Sequence, residues 1–277
     1  RSRCLALLQA LSAVGNVSAA MINLGLGVAE EQGLPYSPWR IMFVIGSVPA
    51  MFALFIRRRL KEPERWEKAS HDDAVGKQLG SYRELFRDPT LRKHALLGLV
   101  LACSGVIGLW AVGFFTPDLT RNVQRPAVTK QVFEEQLETA RTANDSQRVN
   151  DLQTLQELSE DSTAAIPADL NSLHGEIGKL INGRLSRWQS YTSLMINVGA
   201  FFGMFGFGAL AERLGRKPSF AIALVAAFIS TVTVFWFLRE LWQIFVLVPI
   251  MGFCQLSLFA GYAIYFPELF PTRLRST

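Results

Sequence analysis

Half of the 277 residues are hydrophobic, only 18% are charged, and the net charge is +5. A soluble domain carries nearer a quarter charged residues. Here the charges cluster between long stretches that hold almost none, which excludes an ordinary soluble enzyme domain. The basic residues flank those stretches, so the positive charge does not mark a nucleic-acid surface and no nucleic-acid partner is expected.

A bilayer core of about 30 Å needs roughly 20 apolar helical residues to cross it. Six stretches qualify, at 4–28, 39–56, 95–116, 190–210, 218–238 and 242–266. The fold class they predict is an all-α membrane protein with six transmembrane helices and a helical extracytoplasmic insert. The lipid bilayer is its partner.

The first span carries Gln9, Asn16 and Asn23, one every seven residues and therefore on one helix face. Amides are costly against lipid, so this face points at protein or at a water-filled cavity. The second span contains Pro49, which a packed membrane helix tolerates.

Residues 57–93 form a charged linker, within which Ser81–Phe86 has an amphipathic pattern suited to a membrane surface. In the third span Trp110, Phe114 and Phe115 fit interfacial anchors better than an entry path.

The segment 118–187 is hydrophilic. Leu152, Leu155 and Leu158, then Leu170, Leu173, Ile177, Leu180 and Ile181, recur at helical spacing. Two or three amphipathic helices, broken near Pro167, are predicted there as a cap. The fourth span carries Ser190, Ser193 and Asn197 as a second polar stripe, and the sixth carries Gln255 and Tyr262. Helix–helix hydrogen bonding is the competing explanation for each stripe. Gly199 and Gly203, with Gly206 beyond, read as a close-packing surface.

The sided distribution of Lys and Arg predicts orientation. Arg57–Arg59, Arg92-Lys93 and Arg213–Lys217 fall on one side. Glu30-Glu31 and Arg239-Glu240 fall on the other. Both ends and 57–93 are thus expected in the cytoplasm and 118–187 outside, in a multi-pass protein of the cell membrane. Cys4, Cys103 and Cys254 lie at or within spans, so no disulfide framework is expected. The chain lacks an initial Met and ends just after a basic motif, so it is expected to be a piece of a longer protein.

His71, His94 and His174 are scattered, and neither an H-E-x-x-H, a G-x-S-x-G nor a phosphate-cradling loop occurs. No catalytic residue, metal site or cofactor is predicted.

The loop after the fourth span reads Gly208-Ala209-Leu210-Ala211-Glu212-Arg213-Leu214-Gly215-Arg216-Lys217. Gly215 allows a sharp turn, Glu212 can pair with an Arg, and Arg216 and Lys217 hold the loop in the cytoplasm. In this order the residues resemble the signature loop of the major facilitator superfamily. Trp39–Phe43 with Pro49-Ala50, Glu62–Trp66 and Pro267–Arg275 resemble further elements of its sugar-porter-like and metabolite:proton symporter branch.

The resemblance implies helices five to ten of a twelve-helix fold. Residues 1–56 would end the first half, 57–93 would link the halves, and 94–277 would begin the second. It implies a monomer when full length, alternating access, a small-molecule substrate and a coupling proton. Gln9 and Asn16 match amides of the sugar-porter fifth helix that contact substrate. Asn23, Asn197, Gln255 and Tyr262 join them as candidate substrate-binding residues. Gly208, Glu212, Arg213, Gly215, Arg216, Lys217, Glu268 and Arg273 are candidate gating residues.

The paired glutamine of hexose porters is missing from the third span, which reads Cys103-Ser104-Gly105 and so leaves room for small organic acids. No carboxylate lies deep in a span. A sugar or organic-acid symporter is the leading expectation. A non-transporting nutrient sensor of the same fold is the alternative.

Overall fold

The computed structural model describes residues 2–59, 82–160 and 166–270, and these are helical with no strand among them. Helix α1 spans Ser2–Glu31, and a turn at Gly33 (φ 91°) leads into α2, Pro38–Arg59, which runs through Pro49. The short α3, Tyr82–Arg87, leads to α4, Pro89–Val106. Asp88 caps α4 by accepting from the amides of Thr90 (2.7 Å) and Leu91 (3.2 Å), with Pro89 at the first helical position.

Beyond α4 the backbone loosens into a π turn, Ile107–Val112, and a 3₁₀ turn, Gly113–Phe115. It then resumes as α5, Thr116–Thr142, and α6, Ser146–Glu160. A 3₁₀ turn at Ala168–Leu170 starts α7, Asn171–Leu214. Helix α8, Arg216–Phe237, a 3₁₀ turn at Leu241–Phe245 and α9, Leu247–Leu269, complete the fold.

Among the described residues five helical segments are long and apolar enough to cross a membrane: Leu7–Glu31, Pro38–Arg58, Ala168–Leu214, Arg216–Phe237 and Leu241–Leu269. The span expected at 95–116 differs. Its α-helix stops at Val106, and the rest of the span is wound as π and 3₁₀ turns. Gly105, Gly108 and Gly113 punctuate that stretch, and glycine weakens regular helix.

The 118–187 segment forms α5, α6 and the first part of α7. Its core is Val128, Val132, Phe133, Leu152, Leu155, Leu170, Ile177 and Leu185. Helix α7 does not stop at the segment's edge. Its 44 residues reach roughly 66 Å at 1.5 Å per residue, about twice a bilayer core.

Helix α7 is the axis of the bundle. Asn23 of α1 bonds Ser190 of α7, and Gly27 meets Gly183, so the two helices run antiparallel. On the other side α9 crosses α7 at backbone distance. A Cβ on Gly199 would overlap the Pro249 carbonyl, one on Gly203 the Phe253 carbonyl, and one on Gly252 the Ile196 carbonyl. The close-packing reading of Gly199 and Gly203 therefore has its partner, α9.

The two ends of the bundle are distinct. Gln124 of α5 donates to the Arg239 carbonyl at 2.8 Å, and Arg187 of α7 pairs with Glu31. The insert, the 30–31 end of α1 and the 239–240 turn thus share one end. At the other end Arg216 meets Glu268, and Gly98 of α4 faces Leu269 at 3.5 Å. Helix α2 is left almost bare, with Phe43, Val44, Met51 and Phe52 exposed.

Candidate functional site

The polar stripes of α1 and α7 face each other. Asn23 Nδ2 donates to Ser190 Oγ at 2.8 Å, and Ser190 in turn donates to the Ser186 carbonyl at 2.8 Å. Asn23 is thereby used in joining helices. One α-helical stretch inward, the seam opens into a cavity of about 60 Å³ lined by Asn16, Phe114, Ser193, Asn197, Gln255 and Leu256. Three of the six expected substrate-binding residues, Asn16, Asn197 and Gln255, therefore meet at one place.

Asn197 is 8% exposed and Gln255 5%. Asn197 Nδ2 donates to the Ser193 carbonyl at 2.8 Å; a carbonyl can only accept, which fixes the orientation of this amide. Gln255 Nε2 donates to Thr231 Oγ1, whose own hydrogen goes to the Ala227 carbonyl at 2.7 Å. That amide is fixed too. The remaining atoms, Asn197 Oδ1 and Gln255 Oε1, are buried and take no hydrogen bond from any described residue. An unsatisfied buried acceptor costs about 1–3 kcal/mol. Here both belong to residues that line the same cavity.

Gln255 also borders a second, larger cavity of about 250 Å³ between α4, α8 and α9, lined by Ser104, Gly105, Gly108, Phe228, Thr231 and Leu258 among others. Its walls are mostly apolar side chains, with hydroxyls from Ser104 and Thr231. Both cavities border the stretch of Gly105 to Phe114 where α4 gives way to π and 3₁₀ turns.

The other candidates lie apart. Gln9 is half-buried on α1 and borders neither cavity. Tyr262 is buried, stacks on Phe220 and Phe266, and donates to the Leu101 carbonyl at 3.0 Å. Its ring fills the space a side chain at Gly105 would need, so it fastens α9 to α4. Trp110 and Phe114 stack on each other and are half exposed; Phe114 also borders the small cavity.

Sequence reasoning placed Ser193 on the α7 stripe without naming it a site residue, and missed Thr231. The signal for Thr231 was faint: a hydroxyl in an apolar run, which usually bonds its own helix, as Thr231 also does.

At the opposite end, Gly215 takes φ 83°, a conformation that favours glycine, and turns α7 into α8. Gly208 is buried, and Arg213, Gly215, Arg216 and Lys217 are exposed. Arg216 makes a two-pronged contact with Glu268 at the end of α9; one prong is Nη2 to Oε1 at 2.6 Å and the other joins Nη1 and Oε2. Arg216 thus pairs with a carboxylate from another helix, Glu268. The two-pronged geometry suits Arg with a carboxylate. Arg273 and Glu62–Trp66 lie outside the described residues. No group of His, Cys, Asp and Glu among the described residues is arranged to hold a metal ion.

The profile of the family described as "Sugar (and other) transporter" matches residues 126–277, more than half of the chain. The chain belongs to that family, within the major facilitator superfamily. It is similar to the "Probable 4-methylmuconolactone transporter" of Cupriavidus pinatubonensis, at 23% identity over 86% of this chain and 41% of that protein. It is also similar to the "Putative metabolite transport protein" of Haemophilus influenzae, at 23% identity over 92% of this chain and 49% of that protein. The chain therefore spans less than half the length of these two relatives. No solved structure matches it. The major facilitator membership and the apolar helices make it a multi-pass membrane transporter chain.

Proposed function

We propose that this chain supplies part of the transport path of a secondary active transporter for a sugar or small organic acid. It works by alternating access as a proton symporter, with 57–93 and both chain ends in the cytoplasm. The observation that carries the substrate site is the meeting of Asn16, Asn197 and Gln255 at one cavity between α1, α7 and α9. The two fixed, unpartnered oxygens there accept hydrogen bonds, so they match a ligand's O–H groups, whether sugar hydroxyls or an undissociated acid.

At the cytoplasmic end, the Arg216–Glu268 contact joins the start of α8 to the end of α9, the kind of contact that re-pairs when packed helices shift. Glu212, Arg213 and Lys217 belong to the same gating loop. The mostly apolar cavity beside Gln255 leaves room for the substrate's carbon skeleton.

The test uses the full-length protein in proteoliposomes, with a panel of labelled sugars and small organic acids under a proton gradient. Gradient-driven uptake of one of them, weakened in Asn197→Ala and Gln255→Leu, is the expected result. Binding without flux would instead make the protein a sensor. Sidedness is tested with an impermeant thiol reagent on intact cells: Ser159→Cys should label and Tyr82→Cys should not.

A further inference from the structure

We propose that Glu31 and Arg187 form a latch that holds the outer end of the α1–α7 seam closed over the cavity, with the helical insert as the frame that carries Arg187. This rests on the alternating-access reading above.

Arg187 Nη1 lies 2.9 Å from Glu31 Oε2, and the Glu31 side chain is only 18% exposed. Its other oxygen, Oε1, is buried and takes no hydrogen bond from any described residue. A carboxylate so poorly hydrated depends on the cations that face it, Arg187 in direct contact and Arg184 within Coulombic reach, and opening the seam parts it from them at a cost.

The seam beneath the pair is made of small residues. A Cβ on Gly183 would lie 2.9 Å from the Gly27 carbonyl, and one on Gly27 would lie 3.2 Å from the Gly183 carbonyl and 3.4 Å from Ser186. Asn23 and Ser190 follow, and then the cavity at Asn16, Ser193 and Asn197. These small residues let the two backbones approach closely, and the charged pair at the end of the run biases which state is favoured.

Arg187 is held on a stiff support. Arg184 makes two contacts with Glu135 of α5, at 3.0 and 2.9 Å. Arg121 of α5 donates to Asn182 at 2.8 Å and Gln189 at 3.1 Å. Gln189 donates to Asp118 at 3.0 Å, and Thr192 to Thr120 at 3.1 Å. Six contacts thus stitch this stretch of α7 to α5, while Gln124 ties α5 to the turn before α9. The insert, α7 and that turn form one braced unit. Glu31, on α1, is the residue that unit grips from the other side of the seam.

The test reads solvent access to the cavity from outside and needs no identified substrate. In full-length protein with the native cysteines replaced, Ser193→Cys reports labelling by an impermeant thiol reagent in intact cells. Glu31→Gln and Arg187→Gln should each speed labelling by about threefold to tenfold, the shift that loss of one charge-assisted contact gives a two-state equilibrium. The swap Glu31→Arg with Arg187→Glu should slow it again. Gly183→Leu, whose side chain would press on both the Gly27 carbonyl and the Glu31 side chain, should also speed it.

Single charge variants that label at the parent rate would overturn the latch, as would a swap that stays as fast as the singles. Cysteines at 31 and 187, joined by a short bifunctional thiol reagent, separate the two readings. Joining should stop both labelling and flux. Flux that persists with the seam sealed would sink the alternating-access reading while leaving the labelling result for the latch in place.

Discussion

Helix α7 belongs to two regions that are held together by opposite means. In its first part Ile177 and Leu185 are buried in an apolar core with Val128, Val132, Phe133, Leu152 and Leu155, and charged residues such as Glu176 and Lys179 face outward. In its second part the buried positions include Gly199, Ala200 and Gly203 at the crossing with α9, with Met204 and Phe207 buried further along, while Phe202, at 60% exposed, faces away. Water supplies the reason for the first arrangement, since burying Leu and Val there removes apolar surface from it. Lipid offers no such gain, so helices meet through small residues that let backbones touch, and through a few hydrogen bonds such as Asn23–Ser190. One helix thus carries two packing codes, and the change falls between Trp188 and Asn197.

The largest effect should come from breaking the lipid-side code. A Cβ on Gly199 would overlap the Pro249 carbonyl and also crowd the Phe253 amide; both are backbone and neither can rotate away. Gly199→Ala should cost about 3 kcal/mol or more, the upper end for overpacking. The thermal melt of the full-length protein in detergent would show it. A melting temperature unchanged within a degree or so would mean the crossing is looser than described.

Next comes the water-side code. Leu152 is fully buried in the insert. Leu152→Ala should cost about 2–5 kcal/mol, as other buried leucines do. The loss should be confined to the insert: limited proteolysis would cut α5 and α6 sooner while the membrane bundle stays intact. Simultaneous loss of both regions would show that α7 couples them into one cooperative unit.

Much of this division was legible beforehand. The apolar runs marked the spans, the Leu and Ile spacing marked the insert helices, and Gly199 and Gly203 announced a close crossing. The order of residues from Gly208 to Lys217 pointed to the family. What could not be read was pairing across the chain. Nothing near Arg216 says that it meets Glu268, because that contact depends on where α9 ends. Glu31 was legible only as an outer-loop marker, since its partner Arg187 is 156 residues away. The break after Val106 was hidden as well. Glycines are common in membrane helices, and only the fit of Tyr262 onto Gly105 shows what that stretch accommodates.

The cavity tests where the lipid-side code gives way to function. Asn197 and Gln255 each spend the NH₂ group on the protein and leave the oxygen unspent. If a ligand's hydroxyl uses these oxygens, Gln255→Leu should weaken substrate binding by roughly two- to twelvefold, the equivalent of about 0.5–1.5 kcal/mol. Stability should hold or rise slightly, because the variant also removes an unsatisfied acceptor. A residue that only joined helices would give the reverse, with normal affinity and a lower melting temperature.

The smallest effect concerns the charged skin of the insert. Glu135 is held below the usual carboxylate range, chiefly by its hydrogen bond from Arg184 and also by that residue's charge, with desolvation opposing. A carboxylate whose folded pKa is depressed stabilises the fold at pH above its unfolded value, near 4.3, and loses that contribution as the pH falls through the folded value. Glu135 is 57% exposed, so solvent screens the pair, and at neutral pH it is worth about 0.2–1 kcal/mol. Glu135→Gln should therefore lower the insert's stability slightly at pH 7. As acid titrates the wild-type carboxyl, the two proteins should converge. Added salt should narrow the gap at pH 7 for the same reason, since exposed charges are screened within about 10 Å at 0.1 M. The comparison is best read by following proteolytic cutting of α5 across pH. A gap that persists below the folded pKa would mean Glu135 acts through packing. Helix α7 would then be braced at this point by shape, as it is in lipid, and the contrast between its two ends would be weaker than the ion pairs suggest.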